Sequence, residues 1–112
     1  MSKKEWVNGF YGGIVVCDEQ GIIIEMNDYS EKTFAEQGGR SLIGSSLFNC
    51  HNETSIQKIQ AILETQQPNI YIVEKDGEKK MILQAPWYKE HKLAGLVEIT
   101  MPIAGEIPAV KR

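Results

Sequence analysis

The chain has 112 residues and a formal net charge of −3, with no apolar run near the ~20 residues of a membrane-spanning helix, so it reads as one globular domain. Its 12 Lys and Arg are scattered among 15 acids, which excludes the concentrated basic face that nucleic-acid phosphates require. A domain of this size buries roughly two thirds of its unfolded surface without staples, and Cys17 and Cys50, in no CxxC or other paired spacing, read as free thiols of a reducing compartment.

The charged start Ser2-Lys3-Lys4-Glu5 lacks the apolar core of a signal peptide, so a cytoplasmic location is expected and no membrane partner. Trp6, Val7 and Phe10 then form one apolar face of a short helix that Gly9 weakens. That face either packs on the protein's own sheet or serves a dimer contact. From Gly12 to Asp28, two runs rich in Ile and Val flank Asp18-Glu19-Gln20-Gly21. Branched side chains suit a pleated surface and Gly21 supplies the positive φ of a reversal, which predicts a hairpin. Ile22, Ile24 and Met26 are expected on one face of its second strand and Glu25 on the other.

Asn27 or Asp28 caps the next helix, with Glu31 in a capping-box position after Asp28. That helix runs to about Gln37, where Gly38-Gly39 ends it, and Phe34 is its core anchor. Leu42-Ile43-Gly44 returns the chain, and the stretch Ser45–Asn52 carries Phe48, Cys50 and His51. Asn52 is a candidate cap for a second helix, on which Ile56, Ile59, Ile62 and Leu63 recur at helical spacing until Pro68. Asn69–Lys75 alternates and meets Asp76-Gly77, a hairpin signal. Lys79–Lys89 returns, with a bulge or interruption expected at Pro86. After a turn at Glu90-His91-Lys92, Leu93–Ile103 forms the last strand. Residues 1–11 are thus expected to be an N-terminal cap segment, 12–103 the domain and 104–112 a tail or linker. The order is two strands, helices, then three strands, an α+β class with the helices on one sheet face.

Taken in order, Gly13-Ile-Val-Val-Cys-Asp-Glu-Gln-Gly-Ile-Ile-Ile-Glu-Met-Asn27, Leu42-Ile-Gly44 and Ala94-Gly-Leu-Val-Glu-Ile-Thr-Met101 resemble a PAS domain over roughly residues 8–103. The resemblance implies a five-stranded antiparallel sheet in order 2-1-5-4-3 with helices covering one face. It implies that Asn27, ending the second strand, ties the helix start to neighbouring backbone, with Gly21 and Gly44 in structural roles. It also implies a sensor or interaction module that holds a small apolar ligand or forms a homodimer, and passes the change to a partner or output domain. Such a chain is a stand-alone module or a fragment of a larger sensor. The expected pocket lies between sheet and helices, lined by Met26, Phe34, Leu47, Ile59, Leu63, Met81, Leu83, Val97 and Ile99, with Gln84 and Tyr71 as polar contacts. The alternative is that these side chains fill the core and leave no cavity.

No cofactor is the leading expectation. Haem sensors of this family use a His on the helix covering the pocket, which makes His51 the candidate axial ligand beside Cys50. The bland reading is that both residues pack and cap the helix entrance. Asn49-Cys50 also resembles the Asn-Cys pair of the flavin-binding light-oxygen-voltage branch. That branch continues Arg-Phe-Leu-Gln and presents paired asparagines on later strands, whereas His-Asn-Glu-Thr follows here and Gln84 is the amide read there, so no flavin adduct is expected. A thiol enzyme built on Cys50 lacks a placed base, because adjacent Cys50 and His51 point apart and His91 sits in a turn. A zinc site from Cys17, Cys50, His51 and His91 lacks ligand-pair spacing. No metal and no enzymatic activity are therefore expected.

Overall fold

A computed structural model describes residues 5–50 and 53–112, residues 49 and 50 by backbone alone. Helix α1 (Glu5–Asn8) leads into β1 (Gly13–Asp18) and β2 (Ile23–Met26). Helix α2 (Asp28–Thr33), three short 3-10 turns and α3 (Glu53–Thr65) follow, then β3 (Asn69–Lys75), β4 (Glu78–Lys89) and β5 (Lys92–Ile103). The strands form one antiparallel sheet in the order β2-β1-β5-β4-β3, the order the PAS resemblance implies. Its centre is the long pairing of β5 with β1 on one side and β4 on the other.

Local chemistry accounts for the turns. Asp18 Oδ1 accepts from Gln20 N at 2.9 Å and Ile22 N at 3.0 Å, closing the first reversal, and Gly21 adopts φ +82° there. Asp76 and Gly77 both take left-handed angles, the pair of positive φ that a two-residue hairpin turn of matching twist demands. The strand through Pro86 is uninterrupted, contrary to expectation; the register shift falls between Trp87 and Tyr88. Pro86 is tolerated because β3 pairs only as far as Gln84, so β4 has a free edge at the proline.

Asn27 is the α2 cap and is fully buried, at 0% exposure. Its Oδ1 accepts from Ile14 N (3.0 Å) and Ser30 N (3.1 Å). Its Nδ2 donates to Val7 O (2.9 Å) and Gly12 O (3.0 Å). One amide thus joins α1, β1 and α2 with its acceptor and both donors occupied. The expected capping box does not form, because with Asn27 at the cap Glu31 falls one position too late. Glu31 and Asp28 instead hold Arg40, each at 2.6 Å. Helix α2 stops at Thr33 and a 3-10 turn, Ala35–Gln37, takes the chain to Gly38, left-handed at φ +119°.

The core lies between the sheet and α3. Val15, Cys17, Ile23, Met26, Leu47, Ile59, Ile62 and Leu96 pack together, with Phe34, Leu42, Phe48 and Leu63 against them. One strand departs from simple alternation. A shift between Val16 and Cys17 leaves Ile24 unpaired and 45% exposed, while Ile23 and Met26 turn inward at 2% and 3%. At the N-terminus Val7 is buried, but Trp6 and Tyr11 are each 70% exposed.

Candidate functional site

The register decides which side chains face the helical layer. Val15 pairs with Met26 on one side and Glu98 on the other, and Cys17 pairs with Leu96. Since Val15, Cys17 and Met26 belong to the core, the even positions of β5 and β4 face inward with them. The inner face therefore presents Leu96, Glu98 and Thr100 from β5, Ile82 and Gln84 from β4, and Asn69 and Tyr71 from β3.

This placement corrects part of the expected pocket. Met81, Leu83, Val97 and Ile99 occupy the opposite, outer face, beside Ile14, Met101, Ile70 and Ile72. The physical reason is strict alternation: Leu83 and Gln84 are adjacent on a strand and cannot share a face. Met26, Phe34 and Leu47 line the interior cavity, Ile59 is completely buried in the core, and Leu63 packs at its margin. The side chain of Cys50, the whole of His51 and the expected cap Asn52 lie outside the described residues.

Of the inner-face residues absent from the expected set, Asn69 and Glu98 join Gln84 in a polar row. Asn69 Nδ2 donates to Gln84 Oε1 at 3.0 Å, and Gln84 Nε2 donates to Glu98 Oε2 at 2.9 Å. The row crosses three adjacent strands and ends on a carboxylate, which fixes both amides in one sense. Asn69 is thus a second amide on the inner surface, where Gln84 alone was expected. Gln84 is 3% exposed, so its pairing at both ends offsets a desolvation cost that an unpaired amide would bear in full. Burial pushes the Tyr71 hydroxyl up from its ordinary pKa, and the Glu98 charge adds to it. Lys58 Nζ sits 5.8 Å from the Tyr71 ring centre, a weak attraction at this exposed margin.

Glu98 also lines a cavity with Val15, Ile23, Met26, Phe34, Leu42 and Leu47. Its volume is about 10 Å³, room for roughly one water. Among the described residues, side chains therefore leave this cavity no room for a guest larger than water without repacking of its lining. Among the described residues no group of three or more His, Cys, Asp or Glu converges as metal ligands. Cys17 is a poor nucleophile: burial pushes its thiol up from 9.0 to about 11.

That shift predicts a pH dependence. The native state holds the Cys17 proton more tightly than the unfolded chain, so this contribution is fully present below pH 9.0 and is lost as pH rises toward 11. Stability is expected to fall by on the order of 2 kcal/mol over that window, and Cys17→Ala is expected to flatten the slope. Urea unfolding at a series of alkaline pH values measures it.

No protein-family model and no curated protein matches this chain. Solved structures do. The PAS domain of histidine kinase ThkA is 20% identical with a TM-score of 0.67, over 80% of this chain and 97% of that one. The PAS domain from Bordetella pertussis BvgS is 17% identical with a TM-score of 0.63, over 88% and 82% respectively. The Aer2 receptor from Vibrio cholerae, described as a dual PAS-heme oxygen sensor, is 13% identical with a TM-score of 0.66, over 88% and 99%. With the strand order and the helical layer on one face, these similarities show that the chain has the PAS fold.

Proposed function

We propose that this PAS-fold chain is a sensory signal-transduction module that works by association and not by catalysis. The observation carrying this reading is that β4 and β5 serve two surfaces at once. Their inner positions hold the polar row and the Glu98 wall of the cavity, and their outer positions, Met81, Leu83, Val97, Ile99 and Met101, form an apolar surface. A small, mainly apolar guest with one hydrogen-bond donor suits an interior whose sole charged wall is a carboxylate among the described residues. Its entry shifts the inner positions, and the shared backbone passes the displacement to the outer ones. Only a guest with different affinities for two arrangements biases such an equilibrium.

The outer face and the exposed Trp6 and Tyr11 support homodimerisation as the readout, with an attached or separate output partner downstream. Native mass spectrometry of the full chain, paired with light scattering, tests this. A dimer is expected, and Met101→Lys on the outer face is expected to weaken it about tenfold by burying an unpaired charge. A monomer at high concentration carrying no bound mass contradicts the reading. The haem alternative draws on the similarity to the Vibrio cholerae receptor and on His51. It predicts strong absorbance beyond the protein band, lost in His51→Ala.

A further inference from the structure

The sheet has two edges, and the fold treats them differently. Strand β2 is four residues long and bulged, and its outer backbone is occupied. Ile23 N donates to Ser45 O at 2.9 Å, Gly44 N to Ile23 O at 2.7 Å and Leu47 N to Gly21 O at 2.7 Å. That edge is closed by the chain's own Gly44–Leu47 segment.

Strand β3 has none of these protections. It runs seven residues with no proline and no register shift against β4. Among the described residues, no backbone group of Asn69–Lys75 bonds to anything beyond β4. Four consecutive apolar side chains stand exposed on it, Ile70 at 60%, Tyr71 at 39%, Ile72 at 46% and Val73 at 39%. Grooves flank it on both faces, about 420 Å³ beside Ile72 and Ile103 and about 340 Å³ beside Val73 and Lys80. A long apolar edge with free N–H and C=O groups is a template for another strand.

We propose that β3 is a self-pairing edge: the β3 of a second copy adds to it antiparallel, about a twofold axis through Ile72, joining two sheets into one. Like faces must meet across the new ladder, which restricts the register to steps of two residues. The step centred on Ile72 pairs every residue of the strand. It sets Tyr71 against Val73 twice on the inner face and Ile72 against Ile72 on the outer face. Asn69 meets Lys75, Ile70 meets Glu74, and no like charges oppose. A slip in one direction brings in Pro68, which has no N–H, and a slip in the other brings in the Asp76 turn. Because the contact is isologous and the β2 edge is closed, assembly by strand addition stops at two copies. Ile70 and Ile72 also belong to the outer face with Met101, whereas Tyr71 and Val73 face inward, so a change at Val73 separates the edge contact from an outer-face contact.

Sedimentation velocity of the full chain over a concentration series tests this, with Val73→Lys as the variant. Val73 is exposed, so the fold tolerates lysine, and its inner-face position leaves the outer face unchanged. Self-association is expected to weaken about tenfold in Val73→Lys, because two cross-strand pairs are lost. In a Cys50→Ser background, Ile72→Cys is expected to form an interchain disulfide on mild oxidation, since paired Cα atoms lie about 5 Å apart across an antiparallel ladder. A monomer at every concentration overturns the proposal and leaves the edge to another protein. So does a dimer indifferent to Val73→Lys, or one that cross-links through Ile99→Cys but not through Ile72→Cys.

Discussion

Replacing Asn27 with alanine is expected to cost at least about 3 kcal/mol of folding stability. The side chain is wholly buried, and removing it strands Ile14 N, Ser30 N, Val7 O and Gly12 O together. Each buried group left without a partner costs about 1–3 kcal/mol unless water reaches it, and the α2 cap is lost as well. Asn27→Asp separates the contributions. It keeps the acceptor for the two N–H groups but turns a carboxylate oxygen toward two carbonyls. Asn27→Asp is therefore expected to be at least as damaging at neutral pH and to recover partly in acid, where protonation restores a donor. Urea titration measures both; a loss below about 1 kcal/mol for the alanine variant is what an ordinary exposed cap gives, and contradicts this role.

Gly95→Ala is expected to be the other severe substitution, on the order of 4 kcal/mol. Gly95 has φ +156°, and a Cβ there would lie 1.9 Å from Cys17 O and 2.7 Å from the Asp18 carbonyl carbon. Both are backbone atoms of the neighbouring strand β1, so no side-chain rotation relieves the overlap. Cys17 O also accepts from Trp87 Nε1 at 3.0 Å, which holds that carbonyl against β5. Gly77→Ala is the control, since Gly77 also has positive φ but nothing lies within 4 Å of its Cβ position. It is expected to cost only the ~1–2 kcal/mol of the left-handed backbone. Equal losses for the two variants contradict the close approach of β1 and β5.

Most of the fold was legible from local chemistry. Gly21 and Asp76-Gly77 mark turns that form with the positive φ they permit. The isoleucine spacing of Glu53–Thr65 buries Ile59 and Ile62 together. What sequence alone concealed is which face of β4 and β5 turns inward. Met81, Leu83, Val97 and Ile99 are more hydrophobic as a set than Ile82, Gln84, Glu98 and Thr100, so ranking by hydropathy selects the wrong side. A structural cue was present nonetheless. A two-residue Asp76-Gly77 turn pairs Lys75 with Glu78, and counting back along both strands sets Asn69 opposite Gln84, which identifies the amide half of the polar row before any packing is known. The shift at Val16 and Cys17 had no such cue, because neither strand carries a Gly or Pro at the shift to mark it.

The proposed function depends on one division of the sheet: the α3 side is the interior, and Met81, Leu83, Val97 and Ile99 form the outer side proposed to meet partners. Methyl nuclear Overhauser spectra of the full chain measure this directly. Cross-peaks from the Ile59 and Ile62 methyl groups to Leu96 and Val15, with none to Leu83, Val97 or Ile99, are the expected result. Cross-peaks from those α3 methyl groups to Leu83 or Ile99 would reverse the two faces and remove the basis for a sensor that couples one to the other.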